Sequence, residues 1–254
     1  MSETENETIK LSDFVSADFD GDGSTEIVIA ISHYYWSGAN RICESFIKIL
    51  DSNGNIIFEP FATQGGLINN YISIADFNGS PHIIFDLSDD IPLLTQNHKI
   101  KIIDYHGNEF LEISPNEIIG SVSVGNVITD NIVGSATNRD RKQIIVGYQG
   151  RYYGESPGIL IYNSNGELLK EIVIPVIIPA AEYIMSNQGD YPILNDFDGD
   201  GNVNIIFQTT KVLEVAQESR IFVFDLKTKY NPNTIDWTQF AYDGQNTNCY
   251  KCNN

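Results

Sequence analysis

The chain has 254 residues, with 34 Asp and Glu against 15 Lys and Arg, a formal charge of −19 and a pI near 4.3. That balance argues against a nucleic-acid partner, because proteins that bind a phosphate backbone concentrate Lys and Arg to neutralise it, and it fits cation binding. With 42% hydrophobic and 19% charged residues the composition is globular, large enough for one big β domain or two smaller ones, and no apolar run approaches the ~20 residues of a membrane span.

The N-terminus, MSETENETIK, has none of the basic and apolar regions of a secretory signal. Either the protein is cytoplasmic or the sequence begins after its signal. Three cysteines, Cys43, Cys249 and Cys252, are too few for a disulfide scaffold, and one CxxC lacks the second pair of a zinc ribbon. A 249–252 or 43–249 disulfide and a set of free thiols are both open.

Taken in chain order, the apolar runs form four copies of one unit. The first reads FVSAD, an acidic loop, EIVIAIS, a long loop, then FIKILD-SNG-NIIFEP. The second reads YISIAD, HIIFDLS and KIKIID-YHG-NEFLEI; the third SVSVGN, KQIIVGY and ILIYN-SNG-ELLKEIVI; the fourth YPILND, NIIFQTT, RIFVFD and a final TIDWTQF. Aligned on the loop's first residue, the copies begin at Asp18, Asp76, Asn126 and Asp196, at intervals of 58, 50 and 70 residues; aligned on the turn after the third strand they fall at Asp51, Asp104, Asn163 and Asp225. The second strand of each copy is continuously apolar, as in a strand covered on both faces, and the third alternates, with Lys48, Lys99 and Lys101 turned outward. In the first three copies Gly follows three residues after the Asp or Asn, which is hairpin chemistry. No stretch carries a sustained helical period with caps.

A four-stranded antiparallel unit repeated at this period predicts an all-β fold, a β-propeller of four blades filling residues 1–254 as one domain. The repeats span about 11–60, 68–114, 118–176 and 190–241, with 242–254 as a closing tail. The alternative is a segment of a larger ring.

The loop Asp18-Phe-Asp20-Gly-Asp22-Gly-Ser24-Thr-Glu26 puts oxygen donors on alternate residues with glycines between them. Calcium takes 6–8 oxygens from carboxylates, amides and backbone carbonyls, so the predicted ligands are Asp18, Asp20, Asp22, the Ser24 carbonyl and Glu26. The fourth copy repeats the set as Asp196, Asp198, Asp200, Asn202 and Asn204, the last a weaker donor than Glu. An EF-hand is excluded because its twelfth residue would be Ile29 or Phe207, inside strands. The second copy, Asp76-Phe-Asn78-Gly-Ser80-Pro-His82, and the third, GNVITDN, read as metal-free turns. DGDG is also an ordinary acidic turn; five donors at two-residue spacing exceed what a turn needs.

These loops, repeated on a propeller period, resemble the FG-GAP/VCBS-type repeats of cell-surface and secreted proteins, including the calcium-binding blades of integrin α-chain heads. The ending Trp237-Thr-Gln-Phe240-Ala-Tyr-Asp243-Gly-Gln-Asn246-Thr247 resembles the segment that closes such domains in prokaryotic proteins. The resemblance implies a calcium-stabilised propeller at the cell surface or outside the cell. Literal FG and GAP residues are not recognisable, so integrin ligand modes do not transfer.

The long loops after the second strand carry His33-Tyr34-Tyr35-Trp36 in copy one and Arg151-Tyr152-Tyr153 in copy three. Tyr34, Tyr35, Trp36, Arg151, Tyr152 and Tyr153 are candidates for stacking and hydrogen bonding to a protein or glycan ligand, or for covering the core. Catalysis has little support: His33, His82, His98 and His106 share no spacing, no nucleophile elbow, phosphate loop or HExxH occurs, and neither acidic loop has a Lys or Arg neighbour in sequence, although Lys211 or Arg139 is free to approach in space. The expected function is a non-catalytic calcium-binding adhesion or ligand-binding module. The alternatives are a carbohydrate-active enzyme, lyase or hydrolase, on a propeller, and a spacer domain of a surface protein.

Overall fold

The computed structural model describes residues 8–37, 40–89, 97–128, 142–149, 156–174, 192–212 and 217–237. Among these there is no α-helix; the fold is all-β, in four sheets taken in chain order. The first joins β1 (Thr8–Ala17), β2 (Glu26–Ser37), β3 (Asn40–Leu50) and β4 (Ile56–Gln64), each antiparallel to the next. The second has the order β5 (Gly66–Phe77), β6 (Ser80–Asp89), β7 (His98–Ile103) and β8 (Glu109–Ile113). The third holds β9 (Ile118–Gly125), β10 (Gln143–Gln149), β11 (Gly158–Tyr162) and β12 (Leu168–Val173), and the fourth β13 (Ile193–Asn195), β14 (Asn202–Val212) and β15 (Gln217–Lys229).

The chain divides into two compact units, one of residues 1–74, 80–114 and 248–254, the other of 75–79 and 115–247. In the first unit, buried hydroxyls seat β2 and β3 against the start of β5. Ser32 Oγ donates to the Ile68 carbonyl at 3.1 Å, and Ser45 Oγ donates to the Gly66 carbonyl at 2.8 Å. In the second unit Ile145, Ile159 and Ile161 of the third sheet pack on Leu194, Val203, Ile205 and Phe207 of the fourth.

One side-chain-to-backbone bond recurs in all four copies, after the third strand in the first three sheets and near the end of β15 in the fourth. The side-chain oxygen of Asp51, Asp104, Asn163 or Asp225 accepts the N–H two residues on, at Asn53, His106, Asn165 and Lys227. In three copies Gly54, Gly107 and Gly166 then take φ near +82, +82 and +81 and the chain returns as a fourth strand. The fourth copy has Thr228 there, whose hydroxyl is drawn to the Val127 carbonyl at 2.8 Å, and the positive φ moves to Lys227. No hairpin forms. The sequence expectation that TIDWTQF is the fourth strand of the fourth sheet is therefore corrected: after a 3-10 turn at Pro232–Thr234, β16 (Ile235–Trp237) pairs antiparallel with β9 in the third sheet.

Two glycines separate backbone strain from collision. Ala at Gly54 meets nothing within 4 Å and pays only for its positive φ, whereas a Cβ at Gly107 would strike the Pro60 carbonyl. Gly54→Ala is expected to cost about 1–2 kcal/mol, and Gly107→Ala to cost about 1–3 kcal/mol more. Urea unfolding of both variants measures the difference.

The expectation of second strands buried on both faces holds for β6 and β10, where Ile83, Ile84 and Phe85, and Ile144, Ile145 and Val146, are buried in succession. In β2 burial alternates, and in β14 it alternates only after Val203, Asn204 and Ile205, which are buried in succession. The lysines of β7 do turn outward, Lys99 to Glu112 and Lys101 to Glu109 and Glu112.

Candidate metal centres

Each acidic loop sits between the first and second strands of its sheet and is folded by its own carboxylates. Asp18 Oδ1 accepts Gly21 N–H at 2.7 Å and Oδ2 accepts Gly23 N–H at 3.0 Å; Asp20 and Asp22 accept Asp22 and Ser24 N–H. The fourth copy repeats this bond for bond: Asp196 takes Gly199 N–H at 2.8 Å and Gly201 N–H at 3.0 Å, Asp198 takes Asp200 N–H, and Asp200 takes Asn202 N–H. Gly21, Gly23, Gly199 and Gly201 all lie at positive φ, between +76 and +89, which is how so short a loop folds back on its acids. As a result carboxylate oxygens of Asp18, Asp20 and Asp22 lie within 4.8 Å of one another, and so do those of Asp196, Asp198 and Asp200. The donors are all hard oxygens with lone pairs left over from the N–H bonds, a set that suits calcium.

The last predicted ligand of each loop has a second duty. Glu26 is buried, and its Oε2 accepts Phe19 N–H at 2.9 Å; Asn204 is buried, and its Oδ1 accepts Phe197 N–H at 2.8 Å. Glu26 does not belong to the convergent triplet of its loop. The third copy keeps this tie although its acids are gone: Gln143 Oε1 accepts Val127 N–H and Ile128 N–H. The sequence carries a signal for Gln143 in its place at the start of the second strand, first in β10 as Glu26 is first in β2, with Asn204 third in β14.

Glu26 is held above the ordinary carboxylate range, first by burial, against the opposing Phe19 N–H bond, and then by the charges of Asp20, Asp22 and Asp18. A carboxyl whose folded pKa exceeds its unfolded value makes the folded state the tighter proton binder. In metal-free protein stability therefore rises as pH falls through that raised value and is lower above it. Glu26→Gln keeps an oxygen for Phe19 N–H without the charge. In chelator it is expected to melt above wild type at neutral pH and to gain less on acidification toward the carboxylate range, as read by thermal melts across pH.

The two loops differ in their neighbours. Tyr105 stacks on Phe19 beside the first loop, at 6.1 Å between centroids, and burial together with Asp20, Glu26 and Asp22 raises its phenol. At the fourth copy the Lys229 ammonium lies 3.8 Å from where a Cβ of Gly201 would be. The basic neighbour is thus Lys229; Arg139 lies outside the described residues.

The second copy keeps only the turn, Asp76 Oδ1 accepting Gly79 N–H at 2.7 Å. A lysine approaches it. Lys142 Nζ donates to the Asp76 carbonyl and to Asp236 Oδ2, and the same Oδ2 accepts Asp76 N–H at 3.1 Å. Nothing in the sequence announces this group, whose members lie 66 and 94 residues from Lys142.

The aromatic loop of copy one is corrected. The β2–β3 ladder continues to Ser37 opposite Asn40, so Tyr34, Tyr35 and Trp36 are strand residues, opposite Cys43, Ile42 and Arg41. Strand alternation puts Tyr34 and Tyr35 on opposite faces, the latter 5.1 Å from His33 between ring centroids. Aromatic residues favour strands, and here the hairpin ladder extends through all three. Arg151, Tyr152 and Tyr153 lie outside the described residues, as do Cys249 and Cys252; Cys43 is buried, its Sγ donating to the Gly66 carbonyl at 3.3 Å. Two histidines also gain structural partners: His98, buried in β7, pairs through Nδ1 with Asp86 at 3.0 Å, and His82 Nδ1 lies 2.9 Å from the Ser80 carbonyl.

No known protein family and no curated protein matches the chain. Among solved structures it is similar to the rhamnogalacturonan lyase YesW, at 12% identity and a TM-score of 0.47, over 94% of this chain and 52% of that one. The chain spans about half the length of that structure. Likeness at this level assigns no activity.

Proposed function

We propose that the chain is a calcium-stabilised β-propeller of the FG-GAP/VCBS type that serves outside the cell as a non-catalytic adhesion or ligand-binding module, with protein or glycan partners. The observation that carries the reading is the pair of loops that match bond for bond, each converging three carboxylates on one point. Asp18, Asp20 and Asp22, and Asp196, Asp198 and Asp200, would hold the ions, with the Ser24 and Asn202 carbonyls, Glu26 and Asn204 as the remaining oxygens. The ion's contribution is to offset repulsion among like charges. Four successive antiparallel sheets, each built by one copy except that β16 of the fourth copy joins the third sheet, support the propeller. Calcium sites of extracellular modules work at ~10⁻⁴–10⁻³ M, which places their use outside the cytosol.

Calcium titration calorimetry is the test. Two ions per chain are expected, with Asp20→Ala deleting one and Asp198→Ala the other. The site beside Lys229 should be the weaker, because a nearby ammonium repels the ion. Absence of binding at millimolar calcium would remove the proposal. Glycan and protein arrays then address the partner.

A further inference from the structure

Phe19 sits inside the first acidic loop between two of its anchors. Asp18 accepts Gly21 and Gly23 N–H, and Glu26 accepts Phe19 N–H itself, so any opening of the loop carries the Phe19 ring with it. That ring is 7% exposed and stacks at 25° on Tyr105, which belongs to the turn between β7 and β8 of the second sheet. Tyr105 stacks in turn on Phe58 of β4, at 5.5 Å and 17°, and His106 meets both rings at steep angles, 72° to Tyr105 and 89° to Phe58. The turn has no room to retreat toward β4: a Cβ at Gly107 would lie 2.1 Å from the Pro60 carbonyl oxygen. Loop, turn and β4 all belong to the first compact unit. The charges of Asp20, Glu26 and Asp22 also act on the Tyr105 phenol. The fourth loop has the same internal bonds, but Phe197, the counterpart of Phe19, is 45% exposed.

We propose that Phe19, Tyr105 and Phe58 form a clasp by which the state of the first loop sets the order of the second sheet's turn, so that an ion bound at Asp18, Asp20 and Asp22 fastens the first sheet to the second. The proposal rests on the calcium reading of that loop. Three carboxylates with oxygens within 4.8 Å of one another repel, and the repulsion loosens the chain that holds Phe19. A bound cation removes it and fixes the ring. A fixed ring is the firmer neighbour for Tyr105, because aromatic stacking depends on offset and distance, and the turn then opens less often. The exposed Phe197 gives the fourth loop no comparable lever, and an ion there acts on its own loop.

Hydrogen exchange read by mass spectrometry on the full chain, in chelator and in about 10 mM calcium, tests the clasp through the amides of Asp104, His106, Gly107 and Asn108, all of which bond within the turn. Calcium is expected to slow exchange in residues 18–26 and, by about 2–10-fold, in this turn, the factor that one aromatic pair supplies. Tyr105→Ala should keep the loop's response and lose the turn's; Tyr105→Phe, which keeps the ring, should keep both. Asp20→Ala should abolish the turn's response and Asp198→Ala leave it intact. A turn that stays unmoved while residues 18–26 respond, or that responds equally in Tyr105→Ala, overturns the clasp and leaves the calcium reading standing. If residues 18–26 ignore calcium, that reading falls, and Asp20→Asn/Asp22→Asn in chelator judges the clasp alone: each amide keeps an oxygen for its N–H bond while two charges go. Slower exchange at the turn in that variant, lost when Tyr105→Ala is added, supports the clasp; unchanged exchange overturns it.

Discussion

Chelation is expected to lower the thermal midpoint of the protein by roughly 5–20 °C relative to about 10 mM calcium. A ligand that binds only the folded state stabilises it by about 1.4–2.7 kcal/mol per site when present at ~10–100 times its dissociation constant. At this chain length about 1 kcal/mol moves the midpoint by roughly 2–4 °C. The two loops belong to different units, Asp18–Glu26 to the first and Asp196–Asn204 to the second, so the effects should separate. Asp20→Ala is the cleanest probe, because Asp20 is exposed and caps a single N–H, that of Asp22. Asp18→Ala would also release Gly21 and Gly23 and damage the turn without any metal. In scanning calorimetry Asp20→Ala should therefore remove about half of the calcium-dependent rise and leave the stability in chelator within ~1 kcal/mol of wild type. An equal calcium response in wild type and in the Asp20→Ala/Asp198→Ala double variant would sink the metal assignment.

The parts of this fold that local chemistry writes were legible in the sequence. A period-two apolar run needs only its neighbours to declare itself, and an Asx turn is complete within four residues, so Asp51, Asp104 and Asn163 located the ends of three third strands, whereas β15 runs on past Asp225 to Lys229. The acidic loops were legible for the same reason, their hydrogen bonds spanning at most five residues within each DxDxD run. What failed depends on distant partners. The last strand was assigned to the fourth sheet because it followed in sequence, yet the partner it found was β9, after Thr228 took the place of a turn glycine. Tyr34 to Trp36 read as a loop because aromatics beside Gly38 look like one; the ladder to β3 made them strand. The lysine at the second loop could not be foreseen, since Lys142 meets Asp76 and Asp236 only once three separate segments have folded together.

That lysine sets up the second large effect. Asp236 is 1% exposed and its carboxylate is shared between the Lys142 ammonium and Asp76 N–H. Lys142→Met removes the ammonium that pairs with the buried Asp236 carboxylate, and breaking a buried pair from one side costs about 3–5 kcal/mol. Reverting the charge should repair most of it: in Lys142→Met/Asp236→Asn the amide oxygen still accepts Asp76 N–H, and what is lost is one charge-assisted bond rather than a stranded carboxylate. Denaturant unfolding of the single and double variants, with Lys170→Met on exposed β12 as the surface control, reads the difference directly. A Lys142→Met variant no weaker than that control would show that the pair contributes nothing. The loss should also be the same in calcium and in chelator. In the first and fourth copies the positive charge at the loop would come from solution and vary with ion concentration, whereas in the second copy the chain carries it on Lys142. The β16 contact to the second copy's turn should accordingly hold at any calcium level, and only the two acidic loops should respond to the ion.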